Sequence, residues 1–81
     1  MDARIGEIIR NKRKEMGITL EELSTQTGIS FVTLGKYENE KVLPTVVNLY
    51  KVCTSLDLNF DQMNDLLNKT KADRKADKKK A

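Results

Sequence analysis

Few side chains in this sequence suit catalysis, because it contains no histidine and only one cysteine, Cys53. Histidine is the commonest general base and metal ligand, and a cysteine without a histidine partner is a poor nucleophile. The carboxylate pairs Glu21 with Glu22 and Asp61 with Asp65 remain as acid–base candidates. On helices such carboxylates more often lie in solvent or near the positive end of the helix dipole. We therefore expect no enzyme, no metal site and no cofactor.

The positive charge is concentrated at one end of the chain. Residues 68–81 hold seven Lys or Arg and two Asp, a local charge of +5, whereas residues 1–67 carry −2. This end has no apolar side chain larger than alanine and cannot bury enough surface to offset the entropy of ordering. We predict a folded domain over residues 1–67 and a basic tail, residues 68–81, that is disordered or a frayed helix.

The chain carries no signal for a membrane or for an oxidising compartment. No uninterrupted apolar run exceeds two residues, which is far too short to span a bilayer. Cys53 has no second cysteine to pair with, so a reducing cytoplasm is the expected location.

Cap residues and apolar spacing predict five short helices. Thr19 followed by Glu22 is a capping box that opens the second helix. Gly17 and Gly28 can take the left-handed conformation that ends the first and second helices. The expected caps of the last three helices are Ser30, Thr45 and Asn59. The apolar residues at helical spacing are Ile5, Ile8, Ile9, Met16, Leu20, Leu23, Leu34, Tyr37, Val46, Leu49, Val52, Cys53, Leu56, Phe60, Met63, Leu66 and Leu67.

The second and third helices meet at a tight corner, Thr27–Ser30, that has the composition of a helix-turn-helix. Gly28 allows the turn, Ile29 can pin it to the core, and Ser30 caps a projecting helix. A helix presented in this way can enter the major groove of DNA. Other small helical domains contain similar corners, so the wider sequence has to decide.

The wider sequence resembles the Cro/C1-type repressor family, also called the XRE family. The match spans about residues 5–67 and includes the spacing between all five helices. The matching residues are Ile5-Gly6-Glu7, Arg13, Gly17 to Ser24, Gly28-Ile29-Ser30, Thr33-Leu34, Tyr37-Glu38-Asn39, Lys41, Pro44-Thr45 and Leu56. The resemblance implies an all-α, compact five-helix repressor-like domain. It also implies a cytoplasmic bacterial or phage regulator that binds double-stranded operator DNA as a dimer.

The resemblance assigns roles to individual positions. The base-contact candidates on the third helix are Phe31, Val32, Gly35 and Lys36. The phosphate-contact candidates are Thr19, Ser30, Asn39, Lys41, Thr45 and Arg10, although a solvated helix face explains Arg10 equally well. Arg13 and Glu38 match a pair that ties the first helix to the end of the third, the alternative being two independent surface charges.

Three departures from the family pattern concern the DNA-facing region. Leu20 stands where glutamine is frequent, and Glu40 stands where a glycine commonly closes the third helix. Phe31 and Val32 replace polar base-readers. They could contact thymine methyl groups, they could meet another protein, or a shifted register could make one of them core. If Phe31 and Val32 contact thymine methyl groups, we predict a DNA half-site that contains A·T pairs.

Three further expectations concern partners. Dimer candidates are Leu58, Phe60, Met63 and Leu67, of which some must cover the core. The basic tail either attracts phosphates without sequence preference or serves only solubility. Cys53 is expected to be core rather than a redox sensor. The rival function is a protein-interaction module on the same fold, such as an antitoxin-like or adaptor protein, which uses Phe31, Val32 and Leu20 to contact its partner.

Overall fold

A computed structural model describes the backbone of residues 4–80 and the side chains of residues 4–74. This part of the chain forms five helices: α1 (Ile5–Glu15), α2 (Leu20–Thr27), α3 (Phe31–Glu38), α4 (Val46–Leu56) and α5 (Phe60–Lys80). The all-α, five-helix prediction is confirmed. Helix α5 continues through residues 68–80, which the sequence analysis placed in the basic tail. The division at residue 67 stays a prediction.

The helix ends follow the capping chemistry expected from the sequence. The Thr19 hydroxyl accepts from the Glu22 N–H and the Glu22 carboxylate accepts from the Thr19 N–H, which completes the capping box of α2. Gly28 ends α2 with a φ of 74°. The remaining side-chain caps lie at the expected positions, Ser30, Thr45 and Asn59. Local sequence therefore places the N-termini of α2 to α5 and the end of α2.

One buried cluster draws side chains from every helix and from the corner between α2 and α3. Its members are Ile5, Ile9, Leu23, Ile29, Leu34, Tyr37, Leu49, Val52, Cys53, Leu56, Met63 and Leu67. Two predicted core residues, Met16 and Val46, are exposed instead. Met16 is the C-cap of α1 and Val46 is the first residue of α4, so both lie at a helix end where the periodic stripe no longer faces the core.

Candidate DNA-binding face

The corner between α2 and α3 is held by a small set of internal hydrogen bonds. The buried Thr27 hydroxyl donates to the Leu23 carbonyl at 2.9 Å and accepts from the Ile29 N–H at 3.2 Å. The Ser24 hydroxyl donates to the Ile29 carbonyl at 2.6 Å. Ile29 therefore has both backbone groups satisfied while its side chain enters the core, which fixes the direction in which α3 leaves the corner.

Helix α3 presents an apolar outer face at its N-terminal end. Phe31 is 51% exposed and Val32 is 54% exposed, whereas Leu34 and Tyr37 on the opposite side are buried. The third reading of the sequence, a shifted register with one of the two in the core, is wrong because both side chains lie in solvent. The remaining base-contact candidates also lie on this helix, Lys36 exposed and Gly35 half-buried.

Three of the phosphate-contact candidates are helix N-caps with exposed side chains, Thr19, Ser30 and Thr45. In each cap the hydroxyl oxygen accepts a hydrogen bond from a backbone N–H. A hydroxyl has one O–H donor besides its two lone pairs, so capping leaves that donor for another partner. An N-terminus with a free hydroxyl donor and a partial positive charge suits a phosphate oxygen.

A buried carboxylate joins α1 to the end of α3. Arg13 Nε lies 2.8 Å from Glu38 Oε2, and Arg13 Nη2 lies 3.1 Å from Glu38 Oε1. The side chains are 12% and 2% exposed, and Arg13 also donates to the Ile18 carbonyl at 2.9 Å. Hydrogen bonding to Glu38 raises the pKa of Arg13 above its ordinary value, against a smaller desolvation effect. The two residues form a directional ion pair rather than independent surface charges.

The same carboxylate takes a second arginine, the phosphate candidate Arg10. Arg10 Nε lies 3.3 Å from Glu38 Oε1, and Arg10 Nη2 donates to Asn39 Oδ1. Arg10 is thus engaged with the end of α3 and does not simply lie on a solvated helix face. The structure brings two phosphate candidates, Arg10 and Asn39, into direct contact.

Glu40 has a left-handed backbone conformation of the kind that favours glycine. Its φ is 60°, a left-handed value that non-glycine residues seldom adopt. Its carboxylate accepts a hydrogen bond from the Gly6 N–H in the first turn of α1. The neighbouring phosphate candidate Lys41 is exposed, and its backbone N–H donates to the Lys36 carbonyl at 2.9 Å. The chain therefore turns after α3 without a glycine.

The four dimer candidates fall into two groups. Met63 and Leu67 are buried in the core of the chain, which removes them from any surface contact with a second copy. Leu58 and Phe60 are half-buried at the junction of α4 and α5. The Phe60 ring packs edge-on against the exposed Tyr50 ring, with centroids 5.4 Å apart, and Val47 is exposed on the same helix as Tyr50.

The described residues also bear on metal, membrane and thiol functions. Among the described residues, no group of three His, Cys, Asp or Glu side chains could hold a metal ion. None of the helices described in this chain has the length and apolar character required to cross a membrane. Cys53 is buried in the core, as expected, and burial raises the pKa of its thiol.

The geometry of the corner, the projecting α3 and the capped N-termini define a helix-turn-helix domain. The family model for helix-turn-helix proteins matches residues 9–63. The chain belongs to the helix-turn-helix family and is of the Cro/C1 type, a class of DNA-binding transcriptional regulators rather than of enzymes.

Two transcriptional regulators are similar to this chain in sequence. The cryptic phage CTXphi transcriptional repressor RstR of Vibrio cholerae is 33% identical over 60 residues, which cover 74% of this chain and 54% of that protein. The regulator SutR of Escherichia coli is 35% identical over 52 residues, 64% of this chain and 29% of that protein. The chain thus spans about half of the first relative and less than a third of the second.

A solved structure matches the fold over a similar share of the chain. It is the P22 c2 repressor in complex with a synthetic operator, with a TM-score of 0.72 and 27% sequence identity. The match covers 76% of this chain and 94% of that chain.

Sequence reasoning missed several residues that shape this face. Ser24 and Thr27 could have been suspected as hydroxyl residues beside a turn, since such side chains often bond to nearby backbone. The contact between Gly6 and Glu40 joins positions 34 residues apart, and no local pattern predicts it.

Proposed function

We propose that this chain binds double-stranded operator DNA with sequence preference and acts as a repressor. The observation that carries the proposal is the exposed apolar face of α3, Phe31 and Val32, on a helix whose direction is fixed by the helix-turn-helix corner. The P22 c2 repressor, which shares the fold, was solved with a synthetic operator. A bacterial or phage cytoplasm suits this role and suits an unpaired, buried Cys53.

In this proposal the N-terminal half of α3 lies in the major groove. Phe31 and Val32 contact thymine methyl groups, and Lys36 can donate to guanine or to a phosphate, with Gly35 allowing close approach. Thr19, Ser30, Asn39, Lys41 and Thr45 donate to phosphates and fix the register on the duplex. Because Phe31 and Val32 cannot form hydrogen bonds to bases, the preferred half-site contains A·T pairs.

The proposed functional unit is a homodimer, which would set two copies of α3 about 34 Å apart, one turn of DNA. Support comes from the half-buried Phe60, whose ring packs against the exposed Tyr50, and from the exposed Val47, three residues before Tyr50 on α4. With the half-buried Leu58 they are the apolar residues available for a shared surface. The basic tail would add phosphate attraction without sequence preference. Deleting residues 69–81 should then weaken binding to all duplexes alike and lower its salt dependence.

The test begins with selection from randomised duplex DNA. An enriched two-fold site with thymines in each half is the expected outcome. Replacing each contacted thymine by uracil removes only the C5 methyl group, so it should weaken wild-type binding about three- to tenfold. The same replacement should have little effect on the Phe31→Ala or Val32→Ala variant that has lost its contact. G·C-rich half-sites without a thymine preference would contradict the proposed readout.

The exposed apolar surface of α3 also supports a second candidate, an interface with another protein. In that case Phe31→Ala and Val32→Ala leave DNA affinity unchanged and abolish binding of the protein partner. Thermal unfolding of both variants controls for folding, and little loss is expected because both side chains are more than half exposed.

A further inference from the structure

Arg10 spans two consecutive residues at the end of α3. Its Nε lies 3.3 Å from Glu38 Oε1 and its Nη2 lies 2.5 Å from Asn39 Oδ1. Glu38 is almost wholly buried and is also bound by Arg13, so the anchor of this arrangement is rigid. Arg10 itself is 40% exposed, and it reaches from α1 to the surface where α3 ends.

The chemistry of the guanidinium fixes which end of the Asn39 amide it meets. Arginine has N–H donors and no acceptor, so its partner must be the carbonyl oxygen of the amide and cannot be the amino group. Because the amide is planar and Arg10 holds its Oδ1, the Nδ2 amino group must point away from Arg10, and Asn39 is exposed. The backbone of Asn39 is also fixed, because its N–H donates to the Gly35 carbonyl at 2.9 Å. Asn39 therefore presents two N–H donors from a fixed position.

We propose that Arg10 is a positioning residue that orients the Asn39 amide so that its amino group donates to a DNA phosphate. In this role Arg10 acts through Asn39, because its Nε–H is directed to Glu38 and one Nη2 N–H to Asn39. The inference rests on the proposed phosphate contact of Asn39 and revises the direct role that the sequence suggested for Arg10. Without Arg10 the Asn39 amide can rotate, and either end of it can face the phosphate.

A double-mutant cycle in DNA affinity tests this role. The variants are Arg10→Met, Asn39→Ala and the two combined. Lys14→Met is the matched control, because among the described residues this exposed α1 cation makes no hydrogen bond or ion pair with the end of α3. The probes are the duplex enriched by selection and a scrambled duplex, titrated at several salt concentrations. Phosphate contacts affect both duplexes similarly.

We expect Asn39→Ala to weaken binding by about tenfold or more, as loss of one hydrogen bond to a charged group does. Arg10→Met should lose a similar factor, and the double variant should lose no more than either single variant. Lys14→Met should change affinity less than about twofold. The salt slope should be unchanged in Arg10→Met, because a neutral amide donor releases no counterion.

Four results would overturn the inference. Multiplied losses in the double variant would show that the residues act independently. A salt slope reduced by about 0.9 in Arg10→Met would indicate a direct phosphate contact by Arg10. Wild-type affinity in Asn39→Ala would show that Asn39 makes no phosphate contact. Absence of any DNA binding by the wild type would overturn the proposed function as well.

Arg10→Lys guards against a misfolded Arg10→Met. Lysine keeps the charge but is a point donor that cannot bond Glu38 and Asn39 at once with fixed geometry. We expect intermediate affinity with the wild-type salt slope and a wild-type unfolding temperature. Full wild-type affinity in Arg10→Lys would show that charge alone matters and would also contradict the proposed orientation.

Discussion

The Glu40 carboxylate accepts a hydrogen bond from the Gly6 backbone N–H across 34 residues of sequence. Gly6 lies in the first turn of α1, whose own N-cap residue, Arg4, provides no side-chain cap. Glu40 therefore supplies from another part of the chain the acceptor and the negative charge that a helix N-terminus favours. Its carbonyl also accepts from Arg74 on α5 at 3.3 Å. One loop residue thus connects α1 and α5 to the turn that carries Lys41.

Substitutions at Glu40 should separate its contact from its backbone strain. Glu40→Ala loses the bond to Gly6 and keeps the left-handed φ, so we expect a loss of about 1 to 2 kcal/mol in the free energy of unfolding. Glu40→Gly loses the same bond but removes the strain, and should be about 1 kcal/mol more stable than Glu40→Ala. Urea unfolding of the three proteins measures both differences. Equal stabilities of the alanine and glycine variants would contradict the strained conformation.

A methyl group at Gly6 should be far more costly than one at Gly35. A Cβ at Gly6 would lie 2.3 Å from the Tyr37 carbonyl oxygen and 2.6 Å from the Glu38 carbonyl oxygen, which are backbone atoms that cannot move aside. Gly6→Ala should therefore lower the free energy of unfolding by about 2 to 3 kcal/mol. At Gly35 the nearest atom is Leu20 Cδ1 at 3.9 Å. Gly35→Ala, the matched control, should raise stability by about 0.5 to 1 kcal/mol.

Arg13 and Arg10 bind the same carboxylate but should differ in their contribution to stability. Arg13→Met leaves the buried Glu38 without its principal partner, so we expect the free energy of unfolding to fall by about 3 kcal/mol. This value is near the lower end for a broken buried ion pair, because Arg10 still binds Glu38. Arg10→Met should lose about 1 kcal/mol or less, because Arg10 is 40% exposed and its interaction is screened by solvent. Denaturant unfolding compares the two, and equal losses would argue against the dominant role of Arg13.

The Cys53 thiol should be protected from alkylation until the protein unfolds. Burial raises its pKa above the ordinary value of 9.0, so the reactive thiolate is disfavoured in the folded state. Because the folded state favours the protonated thiol, Cys53 contributes this stability fully below the thiol pKa of the unfolded chain, and the contribution is lost as the pH rises through the higher thiol pKa of the folded state. The free energy of unfolding of the wild type should therefore fall relative to that of Cys53→Ala above about pH 9. Fast labelling of the native protein with iodoacetamide at pH 8 would contradict this.

Local sequence was sufficient for the N-termini of α2 to α5 and for the corner between α2 and α3. Thr19 with Glu22, Gly28 and Ser30 act within a few residues of their own positions, so capping and turn chemistry could be read without tertiary information. Apolar spacing also identified most of the core. It failed for Met16 and Val46, because a periodic stripe does not show where a helix end leaves the core.

The sequence by itself determined the helical class and the helix-turn-helix corner, whereas the exposure of both Phe31 and Val32 was decided by the structure. Only the tertiary structure decided that Glu40 binds the N-terminus of α1 and that Arg10 reaches Asn39. The physical reason is the range of the interactions. Caps and turns join neighbours along the chain, whereas these contacts join residues about thirty positions apart and exist only after α1 has packed against α3.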